Sequence, residues 1–187
     1  MKAAVFYATR EHHTRRVADH IAGELGRFGI ETDLLDVRYA PIVDWTRYTW
    51  VFVAASVHLG RHEPEMIAFV KRYRPELERL DAAFLSVSLS EAGAEDVTAP
   101  MEQRMESASD VGRMIDRFIE NTGWKPAHTL PVAGALAYSQ YNFLIRFVMK
   151  RIARKAGAPT DVSRDYELTD WPIVDRFVDR LVSHSGR

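Results

Sequence analysis

The chain has 187 residues, 47 % of them hydrophobic and 27 % charged, and a formal net charge of -1. That suffices for one domain with a full core, hardly for two, and supplies no global basic field for nucleic acid. The lack of cysteine excludes disulfides, thiolate catalysis, iron–sulfur clusters and cysteine-ligated zinc; with no cleavable leader pattern and no run of about 18 apolar residues, a cytoplasmic location is expected.

The run from Lys2 to Tyr7 reads as a buried parallel strand, and Ala8 to Thr14 as a polar loop. Val17, Ala18, Ile21, Ala22, Leu25 and Phe28 then mark the inward face of a helix, with Thr14 as its expected N-cap. Free N–H groups at the helix start, with the hydroxyls of Thr9 and Thr14, make either a phosphate site or an ordinary capped turn. Gly29 is placed just past the helix, and 30–37 forms a second strand. Trp50 to Ala55 is a third strand, Ser56 to His62 a loop, and a helix starts at Pro64. Ala82 to Ser88 is a fourth strand, Leu89 to Arg104 a long acidic connection, Met105 to Asn121 a helix and Thr129 to Leu136 a fifth strand. The last helix covers Trp171 to Val182.

Apolar strands alternating with helices give an α/β fold, a five-stranded parallel sheet covered on both faces, within a single domain over 1–187. The flavodoxin-like order 2-1-3-4-5 suits it, with ligands at the carboxyl ends of the strands. An insert over about 137–165 exceeds what this plan needs. In it Tyr141 to Lys155 reads as a basic amphipathic helix: Arg146, Lys150, Arg151, Arg154 and Lys155 on one side, Tyr141, Leu144, Ile145, Val148 and Ile152 on the other. Such a helix suits an anionic membrane surface or an acidic ligand; a core helix with a solvated cationic side is the plainer alternative.

Several stretches give the chain a resemblance to a known family: Phe6 to Thr14; Ala55-Ser56 with Gly60; Ser86-Val87 with Leu89; Asn121, Trp124 and Pro126; and Thr169-Asp170-Trp171. The most specific is Ala133-Gly134-Ala135-Leu136 with Tyr138 and Tyr141, followed by Arg146-Phe147 and Lys150. Nearly end to end, the sequence resembles the flavodoxin-like, quinone-dependent protoporphyrinogen oxidases of bacteria. The resemblance implies FMN as cofactor, oxidation of protoporphyrinogen IX in haem biosynthesis, and a membrane quinone as acceptor. Carried over, Thr9, Arg10, His12, His13 and Thr14 hold the phosphate. Ser56, Val57, His58, Leu59 and Gly60, with Ser88, Leu89 and Ser90, flank the flavin ring. Tyr138, Tyr141, Arg146, Lys150, Arg151, Arg154 and Lys155 face substrate or membrane. No catalytic acid or base is assigned, since the redox chemistry is the flavin's.

The chain departs from the family pattern at His12, where a glycine is usual, at Leu59, where an aromatic residue is usual, and in the long acidic stretch with Glu91, Glu95 and Asp96. The alternatives are a flavodoxin-type electron carrier and a flavin-poor binding or regulatory relative. His12, His13, His58 and His62 are expected near one rim, where neutral imidazoles bind metals and protonated ones bind phosphate; no metal site is assigned. The sequence is compatible with a homo-oligomer. A phosphoacceptor aspartate is missing after the third strand, and nucleophile-elbow, Walker and zinc-protease motifs are absent.

Overall fold

Ala3 to Ala8 are all buried, so the first strand needs cover on both faces and partners on both edges. In the computed structural model, which describes residues 2–40, 42–140, 142–155 and 158–185, it has both. β1 (Lys2–Ala8) pairs in parallel with β2 (Glu31–Asp36) on one side and β3 (Trp50–His58) on the other. β3 turns back into a short antiparallel β4 (Arg61–His62). Its other edge pairs with β5 (Asp81–Ser88), which pairs with β6 (His128–Ala133). The parallel strands therefore run β2-β1-β3-β5-β6, the expected order, with β4 as a sixth strand beside it.

The helices are α1 (His13–Arg27), α2 (Pro64–Leu77), α3 (Leu89–Glu95), α4 (Met101–Thr122), α5 (Phe143–Lys155) and α6 (Trp171–Ser185), and α1 and α6 cover one face of the sheet, α2 and α4 the other. Alternate strand side chains point to opposite faces. Val5, Phe52, Leu85 and Val132 pack with Val17, Ile21 and Leu25 of α1 and Val174, Phe177 and Val178 of α6. Their neighbours Phe6, Val51, Val53 and Phe84 meet Met66, Phe69 and Val70 of α2 and Phe118 of α4.

Several expectations need correction. Ser56 to His62 is no open loop: Leu59 (φ 49°) and Gly60 (φ 72°) both take left-handed backbone, the pair of angles that closes a two-residue hairpin with the strands' own twist. The acidic stretch is largely helical. Ser88 Oγ accepts the Glu91 backbone N–H at 3.3 Å and caps α3, and α4 begins directly after Pro100. The fifth strand breaks at Gly134: β6 ends at Ala133, while β7 (Ala135–Leu136) leaves the main sheet and pairs antiparallel with β8 (Tyr166–Glu167). Gly134 N–H donates to Ser88 O at 3.0 Å and Gly134 O accepts from Leu168 N–H at 3.2 Å, which fixes the crossing. Around β7 and β8 the insert has a small core of Leu136, Tyr138, Ala153 and Ala158. Finally, α1 starts two residues earlier than expected. His12 takes the cap position at φ 63° without a side-chain bond, which puts Thr14 inside the first turn instead of at the cap.

Candidate functional site

The ends of β1, β3, β5 and β6 open onto a cavity of about 830 Å³, lined by Thr9, Arg10, Glu11, His13 and Thr14 from the first loop. The β3–β4 hairpin contributes Ser56, Val57, His58, Leu59 and Gly60, and the end of β5 contributes Val87, Ser88, Leu89 and Ser90. The three groups assigned from the sequence thus meet at one place, except His12, which is exposed and does not line the cavity. Its left-handed backbone turns it aside.

At the start of α1, Thr14 Oγ1 and His13 Nδ1 are buried and have no hydrogen-bond partner. Buried polar atoms are normally bonded, so such a pair at a helix N-terminus fits an absent anionic ligand. Arg10 is engaged elsewhere: its Nε donates to Glu63 Oε2 at 2.9 Å. Glu63, 3 % exposed, also accepts from Ser56 Oγ at 3.1 Å. This carboxylate ties the first loop to the end of β3. Ser88 spends its side-chain oxygen on the α3 cap. Leu59 sits at the hairpin tip, 85 % exposed.

The sequence reading missed one wall. Asp110, Arg113, Met114 and Arg117 of α4 line the cavity, as do Gly134, Ala135, Val148 and Met149. The α4 residues recur at helical spacing, a signal for one face, but which face meets the site depends on packing against β4. Arg113 pairs with Asp110, and Arg117 Nη1 donates to Gly60 O at 3.4 Å.

A model of the flavodoxin domain matches residues 4–163. The protoporphyrinogen IX dehydrogenase [quinone] of Escherichia coli (strain K12) is 31 % identical over 98 % of this chain and 96 % of its own. The chain belongs to the flavodoxin-like protoporphyrinogen dehydrogenase family. The protein of the same name from Leishmania major is 28 % identical over 94 % of this chain and 72 % of its own. Among solved structures, a short-chain flavodoxin associated with a bacterial microcompartment shares the fold at a TM-score of 0.57 and 14 % identity, covering 98 % of both chains. The flavodoxin of Streptococcus pneumoniae TIGR4 does so at 0.52 and 14 %, covering 98 % of this chain and 99 % of its own. Members of this family are oxidoreductases, and the flavodoxin domain implies a flavin.

The residues assigned to substrate or membrane do not share one surface. Tyr138 is fully buried and its hydroxyl donates to Pro159 O at 3.0 Å, making it a strut inside the insert. Arg146 and Lys150 are half-buried, Arg151 and Arg154 exposed; Tyr141 and the Lys155 side chain lie outside the described residues. Of the expected apolar face Val148 is exposed, while Tyr141 and the side chains of Leu144, Ile145 and Ile152 lie outside the described residues. Met149 and Ala153 pack into the insert, whereas Phe143, Phe147 and Val148 are exposed at 78 %, 71 % and 49 %. Among the described side chains of α5, the outer face therefore mixes aromatic and basic groups.

Two of the four histidines, His13 and His58, meet at the cavity, and His12 and His62 do not. His62 is buried between Phe84 and Phe118, with Nε2 2.9 Å from Ser86 Oγ, and burial pushes its pKa down to about 4. It is a core residue because β4 folds back over β3. His58 and His13 line the cavity, His58 with Nε2 3.8 Å from Glu11. Among the described residues, the carboxylate and imidazole atoms close enough to share an ion belong to His20, Glu24 and Asp175, away from these loops. Burial raises the pKa of Glu91, and burial with the Glu91 and Asp170 charges raises that of Glu95 to about 7.

Proposed function

We propose that this protein oxidises protoporphyrinogen IX to protoporphyrin IX with FMN as cofactor and a membrane quinone as electron acceptor, as a step of haem biosynthesis. The observation that carries the reading is the pair of partnerless buried atoms, Thr14 Oγ1 and His13 Nδ1, on residues that line one cavity with the flavin-flanking loops. FMN supplies the redox chemistry when bound. Thr9, His13 and Thr14 would hold its phosphate at the start of α1, while Ser56 to Gly60 and Ser88 to Ser90 would border the ring. The volume lies in the upper part of the ~300–1,000 Å³ typical of ligand sites, so the cavity has room for a sizeable ligand.

A porphyrinogen is a large apolar ring bearing carboxylates, and the wall outside the loops has matching chemistry. Val148 and Met149 offer apolar surface, and Arg117 offers a cation. Whole-length identity to a protoporphyrinogen IX dehydrogenase supports this substrate over a carrier role without a substrate. Among the described residues no helix is long and apolar enough to cross a membrane. The exposed Phe143 and Phe147 beside Arg151 and Arg154 support a peripheral position on an anionic surface, since aromatic and basic groups together suit a lipid interface.

The test is FMN titration of the apoprotein, followed by anaerobic assay with protoporphyrinogen and a quinone. Thr14→Ala should weaken FMN binding by about 1 kcal/mol or more, the loss of a hydroxyl contact to a charged group. Unchanged affinity would place the phosphate elsewhere, and flavin binding without quinone-linked porphyrin formation would favour the carrier.

A further inference from the structure

We propose that His13 is a proton-carrying phosphate ligand: the phosphate group binds at the start of α1 together with one proton, held between a phosphate oxygen and His13 Nδ1. The inference rests on the FMN reading above and concerns a residue specific in its chemistry. The other side chains at that point, Thr9 and Thr14, offer hydroxyls that need no change of protonation.

The neighbours of the imidazole assign its hydrogens. Nε2 lies 2.9 Å from Thr169 Oγ1. Thr169 gives its own hydroxyl hydrogen to Ala133 O at 2.7 Å, so towards His13 its oxygen accepts. Glu167 Oε1, 3.6 Å from Nε2, is a further acceptor on the same side. Nε2 therefore carries a hydrogen, and in the neutral ring Nδ1 is left as a lone pair. That atom is buried without a partner, one residue before the equally partnerless Thr14 Oγ1.

A phosphate dianion has only acceptors to offer, and two acceptors cannot bond without a proton between them. In the protein without a ligand the surroundings favour the neutral ring. Burial of the ring pushes the His13 pKa below its usual value, with Arg16 acting in the same direction and Glu167 and the Ala133 carbonyl against it. Arg16, on the same helix, and Glu167, from β8, are themselves paired at 2.6 Å. From α6 the ring faces Trp171, whose indole stacks on His20, in turn bonded to Asp175. The proton must then arrive with the ligand. It comes from solvent and ends on the Nδ1–phosphate contact, with no other bond made or broken.

The expected result is proton uptake on binding. Titration calorimetry of the apoprotein with FMN at pH 7.5, in Pipes, Hepes and Tris, should give an apparent enthalpy that varies with buffer ionisation enthalpy, at close to one proton per FMN. Affinity should fall by up to about tenfold per pH unit above neutrality. Riboflavin, which lacks the phosphate, should bind without uptake. His13→Gln should bind FMN without uptake, since its amide N–H can donate to phosphate directly. Should that variant fail to fold, ring ¹⁵N shifts of the wild type decide: Nδ1 should pass from unprotonated to protonated when FMN is added. FMN binding with no uptake, equal uptake in His13→Gln or with riboflavin, or an unchanged Nδ1 would overturn the inference while leaving the cofactor reading standing. Failure of the wild type to bind FMN at all would overturn both.

Discussion

The Arg10–Glu63–Ser56 link joins the two loops that define the site, and its burial is lopsided. Glu63 is 3 % exposed while the Arg10 side chain is 57 % exposed. Removing either partner breaks the same 2.9 Å bond, yet the consequences should differ. Arg10→Ala leaves a carboxylate inside the protein with only the Ser56 hydroxyl at 3.1 Å to solvate it. Stranding a buried charge costs about 3–5 kcal/mol; with one donor remaining, about 2–3 kcal/mol is expected. Glu63→Gln leaves a guanidinium that can turn to water and an amide that still accepts from Ser56, so the cost should be about 1 kcal/mol. Once Glu63 is neutral, deleting Arg10 should add little. Urea unfolding at pH 7 of both single variants and the double gives the coupling directly, expected at about 2–2.5 kcal/mol. Equal costs for the two single variants, adding in the double, would refute the argument that a buried carboxylate holds the loops together.

His62 should stay neutral in the folded protein, so stability should be lost as pH falls from its ordinary 6.5 through about 4. At ~1.4 kcal/mol per pH unit this approaches roughly 3 kcal/mol, and a titration midpoint for His62 near 6.5 by NMR would contradict its placement. Glu95 acts with the opposite sign, its folded pKa being raised from 4.5 to about 7; its contribution should fade as pH rises across that window, and Glu95→Gln should flatten the dependence in thermal melts. Leu59→Tyr should tighten FMN binding, since aromatic stacking contributes about 0.5–1.5 kcal/mol beyond burial; equal or weaker binding would remove the hairpin tip from the flavin site. At His12, with φ 63°, Ala should be less stable than Gly by about 1–2 kcal/mol; equal stability in urea would mean that the loop relaxes.

The parallel sheet was legible because its central strands are apolar on both faces, a pattern that needs no knowledge of what covers them. The phosphate corner was legible for a similar reason: strand, loop and helix are contiguous there. What failed depended on contacts across the chain. The hairpin at Leu59–Gly60 was hidden because leucine is a poor residue for positive φ, and only pairing with β4 holds it there. By contrast, Ser88 and Glu91 have the spacing of a capping box and could have identified the start of α3 from the sequence. For α5, charge periodicity alone could not show that Met149 and Ala153 would find cover while Phe147 would not.

The acidic residues around the cavity looked unsuited to an anionic cofactor when counted along the sequence, and their surroundings change that judgement. Asp110 is paired with Arg113. Glu63 is neutralised by Arg10. Glu91 and Glu95 are held towards their protonated forms by burial, and Glu95 by its acidic neighbours as well. The repulsion a phosphate meets is set by these local balances and not by the count of acids. What remains uncompensated at the helix start is a hydroxyl and an imidazole nitrogen, both buried and both short of a partner. A hydroxyl and an imidazole nitrogen kept there without protein partners support the proposed reading of a phosphate that binds together with a proton.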